Sequence, residues 1–175
     1  MGTETVQVGL GERSYPIVIG SGVLDTVGAA LAEARIGRRW AIITDDVVGP
    51  LYGGRLVDLL GAAGIDCELI TFAHGESSKH LVTIGTLASE LAERGFDRGD
   101  ALLALGGGVV GDMAGFLASI YLRGIPFVQV PTSLLAQVDS SVGGKTGVDL
   151  DQGKNLVGTF YQPRAVFIDT DVLRT

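Results

Sequence analysis

From Arg39 onward, short apolar runs alternate with longer segments in which apolar residues recur every three or four positions. The short runs predict buried strands at Trp40–Thr44, Cys67–Phe72, Ala101–Leu105, Phe127–Val130 and Ala165–Ile168. The longer segments predict helices at Leu51–Ala63, at Ser77–Arg94, from the glycines after Leu105 to about Leu122, and from Thr132. Strands that alternate with helices are typical of a parallel sheet with helices on both faces.

The first twenty residues follow a different pattern. Thr5–Val8 alternates polar and apolar residues, Tyr15–Ile19 is an apolar run, and glycines lie between them, which predicts a β-hairpin. Ser21 is predicted to cap a helix that runs to about Ala34. We therefore predict one α/β domain over residues 1–175, with a Rossmann-like parallel sheet, helices on both faces and an N-terminal β-hairpin.

The composition favours a folded domain and limits the classes of partner that it can bind. The 175 residues are 46% apolar and 19% charged, which is not typical of a disordered chain. Because the net charge is −7, we do not expect the overall charge to attract nucleic acid or an anionic membrane. The single cysteine, Cys67, excludes an internal disulfide, and the first residues lack the stretch typical of a signal peptide, so we expect a cytoplasmic protein. Glycines and Asp112 interrupt the apolar span Ala101–Leu122, which disfavours a membrane helix.

Gly106–Gly111 matches the pattern G-x-G-x-x-G after a predicted strand and at the start of a predicted helix. Such glycines let the backbone approach a pyrophosphate, and the helix N-terminus supplies N–H donors. The motif follows a middle strand, and the acid expected about 20 residues later is missing, so Asp45 is the better candidate for ribose hydroxyls. A tight turn without a ligand is the alternative. Asp112, expected in the first helical turn, could bind a ligand or interact with the helix dipole.

Small hydroxyl residues, Asp139, two adjacent glycines and Lys145 occur together between Pro131 and Gly147. Gly-Gly-Lys-Thr resembles the end of a P-loop, but Asp139 occupies the position that requires the first glycine, which excludes an ATPase motif. Gly153-Lys154-Asn155 follows this segment. A lysine beside an amide suits an anionic, hydroxylated ligand, and an exposed loop with a solvated lysine is the alternative.

The segment His74–Lys79 joins a predicted strand to a predicted helix. Glu76 could accept hydrogen bonds from a ribose and Lys79 could reach a phosphate; alternatively, Ser77 caps the helix and the charges are solvated. His74 and His80 lie on either side of the turn without a carboxylate at ligand spacing. We predict two surface histidines and no metal site within this chain.

Several motifs occur in one order along the whole chain: HGExxK, GGGVVGDMAGF, Arg123-Gly124, QVPTSLLAQVDSSVGGKTGV, GKN and FYQP. This run resembles the signature of the 3-dehydroquinate synthases. The resemblance implies a Rossmann-like N-terminal domain that binds NAD and a helical C-terminal domain that binds zinc or cobalt. It also implies conversion of DAHP into 3-dehydroquinate by hydride removal to NAD, phosphate loss, hydride return, ring opening and aldol closure.

The resemblance carries functional roles to individual positions. It implies NAD contacts at Asp45, His74, Gly75, Glu76, Lys79, Gly107, Gly108, Val109, Val110, Gly111, Asp112, Thr132, Ser133, Lys145, Lys154, Val172, Leu173, Arg174 and Thr175. It implies substrate contacts at Arg123, Asp139, Lys145 and Asn155, with Arg123 reaching the neighbouring subunit of a homodimer. We expect Lys145 to be desolvated between the two ligands and Lys79 to be a more exposed contact. Ser133 replaces a more usual threonine, and Asp46-Val47 is an unusual pair after Asp45.

The family continues beyond Val172–Thr175 into its metal-binding domain, whose glutamate and two histidines have no match here. We therefore expect an N-terminal half that is inactive alone. An aminodehydroquinate synthase or another sugar phosphate cyclase is an alternative, although the GGK and GKN motifs disfavour valiolone-type enzymes. Polyol dehydrogenases such as glycerol-1-phosphate dehydrogenase should lack the QVDSSVGGK run. A nucleotide-binding module without catalysis is the alternative from another class.

Overall fold

A seven-stranded sheet forms the centre of the computed structural model, which describes residues 2–174. The strands are β1 (Glu4–Val8), β2 (Tyr15–Gly20), β3 (Arg39–Asp45), β4 (Asp66–Phe72), β5 (Ala101–Gly106), β6 (Phe127–Pro131), β7 (Lys145–Leu150), β8 (Gly153–Phe160) and β9 (Val166–Asp169). The α-helices are α1 (Val27–Ala34), α2 (Gly54–Ala62), α3 (Leu81–Glu93) and α4 (Gly108–Ile120). The sheet order is β1-β2-β9-β6-β5-β3-β4, and every neighbouring pair except β1 and β2 is parallel.

Helices cover both faces of this sheet. On β3, Trp40 and Ile42 pack in the core formed with α1 and α2, whereas Ala41 and Ile43 pack in the core formed with α3 and α4. Because both faces are buried, the central strands are continuous apolar runs without polar alternation. The predicted three-layer α/β fold and its N-terminal β-hairpin are confirmed.

The direction in which successive strands are added to the sheet reverses at β3. The next strand, β4, pairs with one side of β3, and β5 pairs with the other side. In open α/β sheets a crevice forms at this switch, beyond the carboxyl ends of the strands, and ligands bind there. Asp45 ends β3 and Gly106 ends β5 at this edge.

The predicted helix cap at Ser21 is wrong, and so is the alternative cap at Ser77, because Asp169 and His80 act as the acceptors. The hydroxyl of Ser21 donates to Asp171, and α1 begins only at Val27, after a 3-10 turn. The buried Asp169 accepts the N–H groups of Gly22 and Leu24 at 3.1 and 2.9 Å. Helix α3 begins at Leu81 rather than Ser77, and the ring of His80 accepts its cap hydrogen bond.

A second hairpin, formed by β7 and β8, was not expected from the sequence. It lies outside the seven-stranded sheet and packs on α4. Gly147 and Gly158 are cross-strand partners, and a Cβ atom on Gly158 would overlap the carbonyl oxygen of Thr146. Its strands are rich in glycine and polar residues, so they lack the apolar alternation that identifies a strand. The helical stretch predicted from Thr132 is reduced to a short π-helical turn, Ala136–Ser140.

No helix in residues 2–174 combines the length and apolar character needed to cross a membrane. Helix α4, which lies within the apolar span Ala101–Leu122, has 13 residues.

Alanine at two helical glycines should change the stability in opposite directions. An added Cβ atom on Gly85 of α3 would meet no atom within 4 Å among residues 2–174 apart from its chain neighbours and the backbone of its own helix. Gly85→Ala should therefore raise the free energy of unfolding by up to about 1 kcal/mol. On Gly115 of α4 the Cβ atom would lie 2.5 Å from Cγ2 of Thr146. The hydroxyl of Thr146 is fixed by a 2.9 Å hydrogen bond to the carbonyl oxygen of Thr159.

Gly115→Ala should therefore lower the free energy of unfolding by about 1–3 kcal/mol through overpacking. Urea unfolding of both variants beside the original chain gives the two midpoints. A rise in midpoint for both would contradict the close packing of the hairpin on α4.

Candidate functional site

The glycine turn after β5 presents an uncapped helix N-terminus. Gly107 occupies the cap position of α4 with extended backbone, and no side chain in residues 2–174 accepts a cap hydrogen bond there. A Cβ atom on Gly106 would lie 2.5 Å from the side chain of Val110, so this position requires glycine. The first N–H groups of α4 therefore keep their hydrogen-bonding capacity and the positive end of the helix dipole.

Hydroxyl groups lie beside this turn. A Cβ atom on Gly107 would lie 3.5 Å from Oγ of Ser133, and one on Gly108 would lie 3.1 Å from Oγ of Ser140. The N–H group of Thr132 donates to the carbonyl oxygen of Gly106 at 2.9 Å, which ties the turn to the end of β6. Donors of this kind around a helix N-terminus suit a phosphate or another anion.

The other predicted residues of the turn, Val109, Val110 and Gly111, form the start of α4. The side chain of Val110 is fully buried in the core, so only its backbone can face a ligand. The sequence therefore locates the turn, and the structure limits what each residue can offer.

A buried ion pair lies one helical turn further along. The ammonium of Lys79 lies 2.6 Å from Oδ2 of Asp112 and 2.6 Å from Oδ1 of Asn155. The side chain of Lys79 is 5% exposed and that of Asp112 is 19% exposed. Asp112 is the fifth residue of α4 and not a first-turn acid. It is therefore placed to pair with Lys79, and the helix-dipole alternative does not apply.

Burial raises the pKa of the Asp112 carboxyl above its ordinary value, because desolvation of the carboxylate outweighs the opposing hydrogen bond and charge of Lys79. Glu76 raises this pKa further, and Lys145 lowers it. Asp112 therefore depends on its cationic partner to remain ionised. The Lys79 ammonium, in turn, is removed from water and depends on its two acceptors.

A cavity of about 470 Å³ opens beside this pair. It is lined by Asp112, Asp139, Ser140, Lys145, Thr146, Gly147, Asn155, Leu156, Gly158, Thr159 and Phe160. Three of the four predicted substrate residues, Asp139, Lys145 and Asn155, thus lie around one space. Lys79, which was expected to be a more exposed contact, is buried, whereas Lys145 is exposed at the cavity.

Lys154 lies outside the cavity lining, in an exposed pair with Glu76. Its ammonium is 3.0 Å from Oε1 of Glu76. The hydrogen bond and charge of Glu76 raise the pKa of Lys154. An exposed ion pair of this kind contributes little to folding.

Two adjacent carboxylates stabilise the loops at the ends of β3 and β4. Oδ1 of Asp45 accepts the N–H groups of Val47 and Val48 at 2.9 and 2.7 Å. Oδ1 of Asp46 accepts both the N–H group and Nδ1 of His74 at 2.8 Å. The backbone hydrogen bond from His74, followed by the side-chain one, lowers the pKa of Asp46. His74 is therefore paired, and its Gly75-Glu76 loop is held to the end of β3, a role for Asp46 that no local sequence signal indicated.

The lining of the cavity does not include Arg123, Val172, Leu173 or Arg174. Arg123 follows the C-terminal end of α4, and it is exposed with a left-handed φ of 70°. About 12 Å of helix, at roughly 1.5 Å per residue, separates Asp112 from that end. Val172, Leu173 and Arg174 belong to a 3-10 turn after β9, and the hydroxyl of Tyr52 donates to the Val172 carbonyl oxygen at 3.3 Å. Thr175 lies outside the described residues.

Between residues 2 and 174, no group of three or more His, Cys, Asp or Glu side chains is placed to hold a metal ion. The residues described here therefore do not fit a metal centre.

Removal of the Lys79 ammonium should destabilise the domain strongly. Lys79→Met leaves the Asp112 carboxylate without its partner, and loss of one member of a buried pair costs about 3 kcal/mol of the free energy of unfolding. Adding Asp112→Asn should restore part of this loss, because the unpaired charge is then absent. Urea unfolding measures all three proteins. Lys154→Met, which breaks an exposed pair, is the matched control and should leave the midpoint almost unchanged; equal effects of the two lysine variants would contradict the burial argument.

A solved structure has the same fold over nearly the whole chain. The crystal structure of 2-deoxy-scyllo-inosose synthase, complexed with carbaglucose-6-phosphate, NAD+ and Co2+, superposes with a TM-score of 0.90 at 33% identity, covering 97% of this chain and 47% of that one. The two proteins are therefore similar in sequence as well as in fold.

Curated relatives are more similar still. The 3-dehydroquinate synthases of Geobacter metallireducens and Caulobacter vibrioides are 55% and 57% identical, each over 98% of this chain. The chain spans about half the length of these relatives, 48% and 46%. The model of the 3-dehydroquinate synthase N-terminal family matches residues 69–175. The chain therefore belongs to the 3-dehydroquinate synthase family.

Proposed function

We propose that this chain is the NAD-binding half of a 3-dehydroquinate synthase, which converts DAHP into 3-dehydroquinate and phosphate. The observation that carries the proposal is the uncapped N-terminus of α4, which lies at the switch between β3 and β5 and beside the cavity of Asp139, Lys145 and Asn155. Curated relatives at 55% and 57% identity carry this enzyme's name. A structural relative binds NAD+ and a sugar phosphate analogue.

The residues around the glycine turn fit the cofactor. N–H groups of residues 107–110 would bind the pyrophosphate, supported by the hydroxyls of Thr132 and Ser133. The N–H group of Gly111 already donates to the carbonyl oxygen of Gly107 at 3.1 Å, so Gly111 would contribute close approach of the backbone. Asp45 keeps Oδ2 for a ribose hydroxyl, because its two loop hydrogen bonds use Oδ1. The remaining proposed contacts are His74, Gly75, Glu76, Lys79, Asp112, Lys145, Lys154, Val172, Leu173, Arg174 and Thr175. Bound NAD would supply reversible hydride transfer.

The cavity residues suit a phosphorylated, hydroxylated keto acid. The exposed ammonium of Lys145 would neutralise a carboxylate or phosphate, and Asp139 would orient a hydroxyl by accepting its hydrogen bond. Asn155, held by Lys79, would present its amide N–H group to the same ligand.

The proposal extends to parts of the enzyme beyond this chain. We propose that the metal, zinc or cobalt, is bound by residues outside this chain, and the named structural relative contains Co2+. We also propose a cytoplasmic homodimer in which Arg123 enters the partner's site. The exposed position of Arg123 at the far end of α4 from Asp112 supports this arrangement.

Another sugar phosphate cyclase is the second candidate. The structural relative is an inosose synthase, but its 33% identity is well below the 55% of the dehydroquinate synthase relative. Product identification with DAHP and with an amino analogue as substrates distinguishes the two.

Titration with NAD should give a weak dissociation constant for this chain, high-micromolar or weaker. The chain spans about half of the relatives' length, so contacts from the other half do not contribute. Each tenfold loss of affinity corresponds to about 1.4 kcal/mol of binding free energy. Gly107→Asp should abolish the remaining binding, since a carboxylate would occupy the helix N-terminus. An added Cβ atom there has ordinary spacing, so the fold should persist.

Gly54→Asp, at the start of α2 and without neighbours within 4 Å of its Cβ position, is the matched control. Calorimetry should find its NAD affinity unchanged. Binding by Gly107→Asp at the original affinity would refute the proposed pyrophosphate site, and a low-micromolar constant would refute the need for a second half.

The purified 175-residue chain should form no 3-dehydroquinate from DAHP, even with added zinc or cobalt. His74 is engaged with Asp46 and His80 with the start of α3, so neither is placed to replace a metal ligand. The assay follows phosphate release and product by chromatography, with a chain-free sample as control. Turnover free of host enzyme would overturn the assignment of catalysis to both halves.

A further inference from the structure

The β7–β8 hairpin is attached to the domain differently at its two ends. Near its base, the rings of Tyr161 and Phe127 stack with centroids 5.8 Å apart, and the hydroxyl of Thr159 donates to that of Ser119 at 2.8 Å. Near its tip, the attachment is polar: the N–H group of Asp149 donates to the carbonyl oxygen of Lys79 at 2.7 Å. Val148 is still buried in the core formed with α3 and α4, so the part of the tip that is held mainly by hydrogen bonds begins at Asp149.

The tip has an irregular backbone. The pairing register shifts between Val148 and Leu150, and Asn155 has a left-handed φ of 55°. The N–H group of Asn155 donates to Oδ1 of Asp149 at 2.6 Å, which closes the tip on itself. An isolated two-stranded hairpin is marginally stable in water, so this conformation needs contacts from outside.

Lys79 supplies these contacts from the loop before α3. Its carbonyl oxygen binds Asp149 on β7, and its ammonium binds Asn155 on β8. The same ammonium binds Asp112 on α4. Because this cation is almost fully buried, separation of Asn155 from it would leave a buried donor unsatisfied, which is costly.

We propose that Lys79 is a positioning residue whose ammonium holds the tip of the β7–β8 hairpin against α4 and so fixes Asn155 beside Asp112 in the lining of the cavity. Two of its three N–H donors serve this purpose, and one remains for a ligand. The exposed Glu76–Lys154 pair joins the same loop to the same tip, but water screens it. The inference goes beyond the proposed function, because it concerns the chain itself and holds for any ligand of the cavity.

Hydrogen–deuterium exchange of the ligand-free chain tests this role. Lys79→Met keeps the backbone bond to Asp149 and removes the ammonium. Peptides covering residues 147–156 should exchange at least about tenfold faster, at labelling times at which β3 and β5 remain unlabelled in both proteins. Lys154→Met, the matched control, should accelerate these peptides less than about threefold. Unchanged exchange at the tip, or equally early labelling of β3 and β5, would overturn the proposal.

A second pair of variants covers the case in which Lys79→Met does not fold. Asn155→Gly removes the acceptor while allowing the left-handed backbone, and Asn155→Asp retains an acceptor; both leave the Lys79–Asp112 pair in place. The tip should open in the glycine variant and stay protected in the aspartate variant. Equal protection in both would show that the Lys79 ammonium does not hold the tip. Because no NAD is added in this experiment, that result would contradict the role of Lys79 without contradicting the proposed NAD site.

Discussion

Helix α4 is packed on two sides, and the arrangement of the site depends on this constraint. The sheet lies on one side and the β7–β8 hairpin lies on the other, so the helix needs small side chains on both sides. Gly111 approaches the side chain of Gln129, and Gly115 approaches Thr146 and Phe127. Ala114 and Ala118 are buried in the same helix. These small residues bring the hairpin close enough for its polar residues to meet the start of α4.

This close packing converts a surface hairpin into a wall of the cavity. The N-terminus of α4 lies at the crevice between β3 and β5, and the hairpin is held along the same helix. Burial of the Lys79–Asp112 pair is a cost of the arrangement, because both charges lose water. The cost is offset by hydrogen bonds that join three separate segments. The Lys79–Asp112 pair therefore serves to position the polar residues of the site more than to stabilise the fold.

Features with local causes were predictable from the sequence. The apolar runs of β3 and β5 and the glycine turn before α4 were correctly located, because each depends on neighbouring residues. The predicted cap at Ser21 and the alternative cap at Ser77 are wrong, because Asp169 and His80 perform these roles. The burial of Lys79 depends on Asp112 and Asn155, which are 33 and 76 positions away. No spacing rule links such residues, and only the family motifs placed them in one site.

The charges around the cavity indicate how a protein with a net charge of −7 can attract an anion. Lys79 is neutralised by Asp112, and Lys154 is paired with Glu76. Lys145 has no salt-bridge partner within 4 Å among residues 2–174, and its charge reaches Asp112 across the cavity. The cavity also contains the carboxylate of Asp139, so the positive groups at the site that lack an ion-pair partner are Lys145 and the N-terminus of α4. Lys79 sets the geometry, whereas we expect Lys145 and the helix terminus to supply the attraction.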